Sequence, residues 1–409
     1  MQNEYRGIEY LRRKLNAKAI RVKKRYRFYE MKYQVRDLGI STPPKLRALS
    51  NPLGWCSRAV DGIADRLIFR EFRNDVLGMN EIYQRNNPDV LFDSAGLSAL
   101  IAACSFLYIS RDEDGYPRIQ VIDGANATGV IDDTTNLLKE GYAILQKDDS
   151  GKPLMEAWLT AEDTQSYYQG KLYRTDRHVA GHPLLVPVIY RPDASRPFGH
   201  SCISRSCMGL VEAAVRTVKR AEISAEFYSF PQRWATGLAQ DYEMDKWQAA
   251  MTSFLTVTKD EDGENGVQFG QFAQQSMAPH NEQLRSLAAT FAGETGLTLD
   301  DLGFASENPT SAEAIKAKHD DLRLRARKAQ RTFGTGFLNA GFLAASLRDD
   351  YTYRREAIYM TKPMWEPIFE PDASSIGLIG DGLIKLNQAV PGFATKETLR
   401  DITGIEPGV

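Results

Sequence analysis

The chain has 409 residues, 43% of them hydrophobic and 25% charged, enough for two or three modules with a buried core and far beyond a peptide or tail fragment. Its formal charge of -2 conceals a split, with 14 Lys/Arg against 4 Asp/Glu in residues 1–50 and 37 against 49 in the remainder. Four cysteines (Cys56, Cys104, Cys202, Cys207) without a CxxC pair, no apolar leader and no run near the roughly 20 residues of a membrane span point to a reducing cytoplasm. The expectation is a chain neither secreted nor membrane-embedded.

Ile8, Leu11, Leu15 and Ala19 recur at helical spacing among basic residues, which predicts an amphipathic basic helix over 4–33, ended by the Ser-Thr-Pro-Pro stretch at 41–44. In NPLGWCSRAVDGIADRL, Asn51 reads as a cap and Pro52 as the first helical residue, with Trp55, Ala59, Ile63 and Leu67 on one face. A helical pair follows over 76–104, broken at Asn87-Pro88. From Ser105 to Tyr190, β-rich runs such as FLYIS, RIQVID, GYAILQ, EAWLT, QSYYQ and KLYRT alternate with turn clusters such as DEDG and KDDSG, predicting an antiparallel meander. Helical spacing returns over 201–228, and short mixed elements occupy 231–278. The segment PHNEQLRSLAATFAGETG places Leu284, Leu287, Ala288 and Phe291 on one stripe and stops at Gly296. A last long helix opens at NPTSAEAI, where Thr310 and Glu313 have capping-box spacing. Its stripe runs through Ile315, Leu322, Ala326, Ala329, Phe333, Phe337, Ala340, Leu343 and Leu347, and about 33 residues make a rod of roughly 50 Å.

Signatures of catalysis are mostly missing. Gly336 and Gly341 have phosphate-loop spacing, but Phe342 and Leu343 stand where Lys and Ser/Thr must meet phosphate and magnesium, which argues against a motor ATPase. His178 and His182 stand four apart, yet Val179 replaces the glutamate of a metalloprotease and Gly181 and Pro183 disfavour a helix, so structural or surface histidines are the better reading. Cys202, Cys207 and His200 lack a fourth ligand, and the two thiols fall on different helix faces, as buried small hydrophobes would. The acidic pairs Asp132/Asp133, Asp300/Asp301 and Asp320/Asp321 sit in turn-like or solvent-facing contexts where solvated charge is the default. The basic helix keeps two readings: a solvated face that meets acidic neighbours in an assembly, or an arm that binds phosphate or a partner. Its aromatics Tyr26, Phe28, Tyr29 and Tyr33 read as packing residues.

Four stretches, in this order, resemble the SPP1-like family of phage portal proteins: NPLGWCSRAVDGIADRL, then RPFGHSCISRSCMGLVEAAVRTVKRAEISAEFYSFPQRWATG, then LRSLAATFAGETGLTLDDLGFASENPTSAEAIKAKHDDLRLRARKAQRTFG, and the closing PMWEPIFEPD before a helix. The third is the most specific. The resemblance implies an α+β portal fold, with an N-terminal basic helix and wing over 1–200, a first stem helix over 201–230 and a clip over 231–278. A second stem helix over 279–296, a tunnel loop over 297–309, a long helix and wing return over 310–371 and a short helical crown over 372–409 complete it. It implies, further, a homo-oligomeric ring, in this family a dodecamer, at the capsid portal vertex of a virion assembled in host cytoplasm. Double-stranded DNA would pass through the ring during packaging and ejection. The implied partners are the terminase large subunit, a head-tail connector or adaptor protein and the major capsid protein, with no enzyme activity, metal, cofactor or membrane.

A DNA channel is poorly served by a strongly basic wall, because each neutralised phosphate adds salt-dependent affinity that would stall movement. Under the resemblance Asp300, Asp301, Glu307 and Asn308 are the tunnel-loop candidates, and no Lys or Arg occurs between 297 and 309. The alternative is that these acids are ordinary loop and capping residues. Arg233 and Trp234 are candidate clip anchors for a partner, since exposed arginine and aromatic residues dominate interface energetics; a Trp buried in the clip's own core is the equal alternative. Two competing functions stand beside the portal: a packaging enzyme, which lacks its nucleotide loop and metal cluster here, and a head-tail adaptor or other capsid structural protein, which should lack the stem, loop and rod in succession.

Overall fold

The computed structural model describes residues 5–35, 51–132, 134–229, 233–238, 254–258, 268–271, 276–304, 317–369, 371 and 373–405. The basic N-terminal segment forms α1 (Ile8–Tyr29). Leu11 and Leu15 pack on Tyr142, Val22 on Ala102 and Ala125, and Phe28 stacks on Tyr33 at 4.5 Å. Helix α2 (Trp55–Ala64) buries Trp55, Cys56, Ala59, Val60 and Ile63. It begins later than the sequence suggests. Gly54 is the residue before its first turn, and the Asn51 side-chain amide instead donates to the Glu222 carboxylate far along the chain, so a tertiary partner replaces the local cap. Leu67 is buried beyond the helix end.

Next come β1 (Phe69–Arg73), α3 (Met79–Gln84) and α4 (Pro88–Ala102). The break at Asn87-Pro88 falls where expected: Asn87 takes a left-handed φ of 50° and Pro88 opens α4, where its missing N–H has no helical partner to lose. Strand β1 escaped the sequence reading because its antiparallel partner is β13 (Lys362–Trp365), near the other end of the chain.

The β-rich region holds two sheets rather than one meander. Strands β2 (Cys104–Arg111), β3 (Pro117–Ile122) and β9 (Leu185–Ile189) form a sheet of order β3-β2-β9. The expected meander is the other sheet, β4 (Ala127–Ile131), β5 (Leu138–Lys147), β6 (Pro153–Leu159), β7 (Asp163–Tyr168) and β8 (Lys171–Arg177), in that order. LVPVI, the sequence of β9, is a continuous apolar run broken by a proline, without the alternation that announces a half-exposed strand.

Helix α5 (Arg205–Ser229), a small sheet of β10 (Arg233–Leu238), β11 (Phe254–Thr258) and β12 (Gln268–Gln271), and helix α6 (Ala278–Thr295) follow. The described part of the long helix is α7 (Asp320–Arg348), 29 residues or about 43 Å; Thr310, Glu313 and Ile315 lie outside the described residues. Every described position of its expected stripe, from Leu322 to Leu347, is buried. A Cβ on Gly341 would come 2.9 Å from the Met79 sulfur, and one on Gly336 3.2 Å from the Pro187 carbonyl oxygen. These two glycines serve close packing of α7 on α3 and β9, not phosphate. Around Phe337 the rings of Phe69, Phe92 and Trp365 gather with centroids 4.6 to 6.0 Å away, and the Tyr83 hydroxyl donates to the Phe337 carbonyl at 2.6 Å.

The chain closes with α8 (Ala373–Ala389) and α9 (Lys396–Thr403). Arg73 grips Asp401 in two hydrogen bonds of 2.6 and 3.0 Å, and Arg400 reaches Glu71 at 3.1 Å, so the last helix is anchored on β1. The class is α+β, with helices and antiparallel sheets sharing one main core.

Candidate functional site: the helix pair, its strand module and its loop

Helices α5 and α6 pack side by side and antiparallel. Ser224, late in α5, shares a 3.3 Å hydrogen bond with His280, early in α6. At the other end Cys207 of α5 and Phe291 of α6 both join the main core, and Phe291 lies 5.5 Å from the Trp55 ring of α2. Burial is one-sided. On α5 it takes Cys207, Val211, Ala214, Val215, Thr217 and Ile223, and on α6 Ala288, Phe291, Ala292 and Thr295. The middle of the exposed face of α6 is Ser286, Ala289, Thr290 and Gly293, small and uncharged, with Glu282, Arg285 and Glu294 around it. Sequence reasoning missed this face because it followed the apolar stripe; the signal was small residues spaced three, four and seven apart on the opposite side.

Gly296 ends α6 with a left-handed φ of 76°, the conformation that costs glycine least. In the loop that follows, Leu297 is buried, and the Thr298 N–H and hydroxyl donate to the Asp301 carboxylate at 2.8 and 2.9 Å. His319, just before α7, lies 3.3 Å from the same carboxylate. Burial opposes the charge on Asp301, but these donors outweigh it and hold its carboxyl below the usual range. Asp300 is 3.6 Å from Lys318. Asp300 therefore has a cationic neighbour inside the chain, and Asp301 closes a turn with Thr298 and lies against the His319 ring. Glu307 and Asn308 lie outside the described residues.

At the far end of the pair, β10 is central, parallel to β11 and antiparallel to β12. Trp234 stands opposite Gly270, and its ring occupies the space a Cβ there would fill, 2.3 Å from that position. One face of the indole is thus used within the module itself, while the side chain remains half-buried. Arg233 is paired in register with Phe254 and Gln271; its side chain lies outside the described residues.

The other singled-out groups are accounted for locally. His178 is buried and neither ring nitrogen meets a partner within the chain, and burial holds both His178 and His182 below the usual imidazole value. His200 bonds Asp193 at 2.5 Å, and burial pushes the Cys202 thiol up to about 12. Asp320 pairs with Arg323 at 2.6 Å and Asp321 with Arg325 at 3.1 Å. Asp132 accepts from Thr134 and Thr135 in a turn, and Asp133 lies outside the described residues. Among the described residues no three of His, Cys, Asp or Glu are arranged to hold a metal ion, and no helix is long and apolar enough to cross a membrane.

The cations of α1 divide into two sets. Arg12 pairs with Glu156 at 2.6 Å, Lys14 and Arg25 donate to the carbonyls of Gly129 and Ala102 at 2.7 and 2.8 Å, and Lys18 sits 4.9 Å over the Phe106 ring. Arg13, Arg21, Lys23, Lys24 and Arg27 are exposed.

A family model described as "Phage portal protein, SPP1 Gp6-like" matches residues 8–368. The portal protein of Mycobacterium phage D29 is 24% identical over 399 residues, spanning 92% of this chain and 81% of the relative. That of Mycobacterium phage L5 is 25% identical over 329 residues, spanning 75% and 67%. A chain of the solved "Neck of native GTA particle computed with C12 symmetry" is similar at 14% identity and a TM-score of 0.46, over 87% of this chain and 90% of that one.

Proposed function

The chain belongs to the SPP1 Gp6-like family of phage portal proteins, and from that premise we propose that it is one subunit of a ring, dodecameric as the resemblance implies, whose channel passes double-stranded DNA into and out of a phage head. The observation that carries the reading is the family match across 8–368, which takes in the helix pair, the strand module and the loop together. In this reading α5 and α6 are the stem, β10 to β12 belong to the clip, residues 297–309 form the tunnel loop, the two large sheets with β1 and β13 make the wing, and 372–409 are a short crown.

The chemistry of the parts supports it. A channel wall must exclude tight phosphate contacts, since each one released or formed changes affinity with salt. Ser286, Ala289, Thr290 and Gly293 offer DNA neither a cation to hold it nor bulk to obstruct it. In the loop, Lys318 offsets Asp300, and hydrogen bonds from Thr298 engage Asp301, so the described part of the loop presents less free negative charge than its sequence suggests. DNA would be guided by shape and weak repulsion. The part is structural rather than enzymatic, a virion component at the portal vertex. The clip would meet the terminase large subunit during filling and a head-tail connector or adaptor afterwards, through Arg233 and the free face of Trp234, and the wing would meet the major capsid protein.

Imaging and mass measurement of the purified protein test the reading. Closed rings with a central hole, inactive toward ATP and toward DNA with magnesium, are expected. Monomers or dimers at every salt concentration, or magnesium-dependent DNA cleavage, would contradict it.

A further inference from the structure

A cleft of about 780 Å³ opens between α1, α2 and α4. Three carboxylates line it, Asp61, Asp65 and Asp93, together with the apolar side chains of Ile68 and Val90, which are 53% and 71% exposed. Tyr29, from the end of α1, also lines it and donates its hydroxyl to Asp61 at 2.9 Å. Among the described residues none of the three acids forms a salt bridge; Arg58, on α2, acts on Asp61 only through space. Burial raises the affinity of Asp61 and Asp93 for protons, and the nearby acids Asp65 and Asp89 add to it. The cleft thus gathers three carboxylates without an ion pair of their own among the described residues.

The cationic face of α1 is its counterpart. Arg13, Lys23, Lys24 and Arg27 surround Ile20, which is 74% exposed, and they stand seven, three, four and seven positions from it. At about 100° per residue they fall on one arc with Ile20, and Arg21 flanks it. None of these five cations forms a salt bridge among the described residues. Tyr29 stands nine positions from Ile20, about 180° around the helix. The groove and the cationic face therefore open on opposite sides of α1, and one chain cannot fill its own groove with its own basic face.

We propose that the acidic groove between α2 and α4 receives the cationic face of α1, with Ile20 set against Ile68 and Val90, from the neighbouring copy of this chain. The proposal rests on the ring reading above and deepens it by naming the two surfaces that meet. Patches on opposite sides of one subunit pair head to tail, and a head-to-tail contact that closes on itself is a ring. Opposite charge fixes the register and speeds encounter, while the apolar residues supply the dry centre of the contact. It also assigns the outward half of the basic N-terminal helix to assembly rather than to DNA.

The experiment uses full-length chains and reads the fraction of protein in rings by mass measurement. One variant reverses the helix, Arg21→Glu with Lys24→Glu and Arg27→Glu. The other reverses the groove, Asp65→Lys with Asp93→Lys. Each alone should lower the ring fraction at least tenfold, and both sets in one chain should restore it. Mixed in equal amounts, the two single-patch variants should also restore rings, because each one's helix then matches the other's groove in alternation. Melting curves check folding, and if a reversal unfolds the chain, Asp65→Asn with Asp93→Asn and Lys24→Gln with Arg27→Gln take its place, each expected to weaken rings several-fold at low salt. Rings at the wild-type level in both single-patch variants, or no rescue by either the combined chain or the mixture, would overturn the assignment. A helix variant with normal rings but weakened binding of a short DNA duplex would overturn it in favour of nucleic acid. Absence of rings from the wild-type protein would fail the ring reading itself, and with it this one.

Discussion

Helices α7 and α6 are built from similar small and apolar residues and do opposite things with them. Of the 29 residues of α7, Leu322 to Leu347 supply sixteen buried positions, all round the helix in its second half. Of the 18 residues of α6, four are buried. Glycine in α7 admits a neighbouring element, as Gly341 admits Met79, whereas a Cβ on Gly293 in α6 would meet nothing within 4 Å. The difference shows how one composition serves two purposes. Surrounded on all sides, small residues set how closely elements approach; on a helix with one free side, they leave a smooth and uncharged surface.

The largest expected effect breaks the first half of that contrast. Phe337→Ala removes a fully buried ring from the aromatic cluster and should cost about 3–5 kcal/mol, whereas Ala289→Ser on α6 should change stability by no more than about 0.5 kcal/mol. Urea unfolding of the two variants checks this, and equal losses would mean that α6 is as enclosed as α7.

A smaller effect lies at the junction of the two helices. Asp301→Ala removes the acceptor for Thr298 and the partner of His319 and should cost about 1 kcal/mol. Because the folded carboxyl of Asp301 lies below its ordinary value of 3.8, its contribution is present above that value and is lost as pH falls through the lower folded value. The variant should accordingly lose less stability than the parent on acidification below pH 3.8. This residue is a poor probe of DNA contact, since its loss disturbs the turn; Asp300→Lys is the cleaner substitution in the loop, and it should assemble normally.

The smallest effect lies just after β8. Burial lowers His178 below its ordinary value of 6.5, so the unfolded chain takes up the proton first and stability falls as pH drops below 6.5. His178→Leu should flatten that part of the pH profile, measured as melting temperature between pH 7 and 5. An unchanged slope would place the titrating group elsewhere, with His182 the next to replace.

Local signals made much of the fold legible. The stripes of α1, α6 and α7, the break at Asn87-Pro88 and the stop at Gly296 rest on periodicity, proline and glycine, and they fell where expected. What escaped was non-local. Strand β1 finds its partner at Lys362–Trp365, β9 returns to β2 with an apolar run that lacks alternation, and Asn51 forsakes its cap for Glu222. The candidate site divides in the same way. The absence of cations from 297–309 could be read directly, but the placing of Lys318 beside Asp300 and of His319 beside Asp301 depends on how the loop folds. The uncharged middle of the exposed side of α6 became visible only once its buried side was fixed.

The channel account stands most directly on that uncharged middle. Thr290→Lys together with Ala289→Lys places new cations on an exposed, thinly packed surface, so rings should form normally and the subunit should keep its stability. Phage heads assembled with this variant, with a Thr290→Gln and Ala289→Gln control, would be compared for packaged DNA length at two salt concentrations. The expected result is shortened or arrested packaging with the lysines, worse at low salt, where attraction to phosphate is strongest, and full-length DNA with the glutamines. Full-length DNA from the lysine variant at low salt would mean that this face of α6 does not meet DNA, contradicting the assignment of α6 to the channel wall.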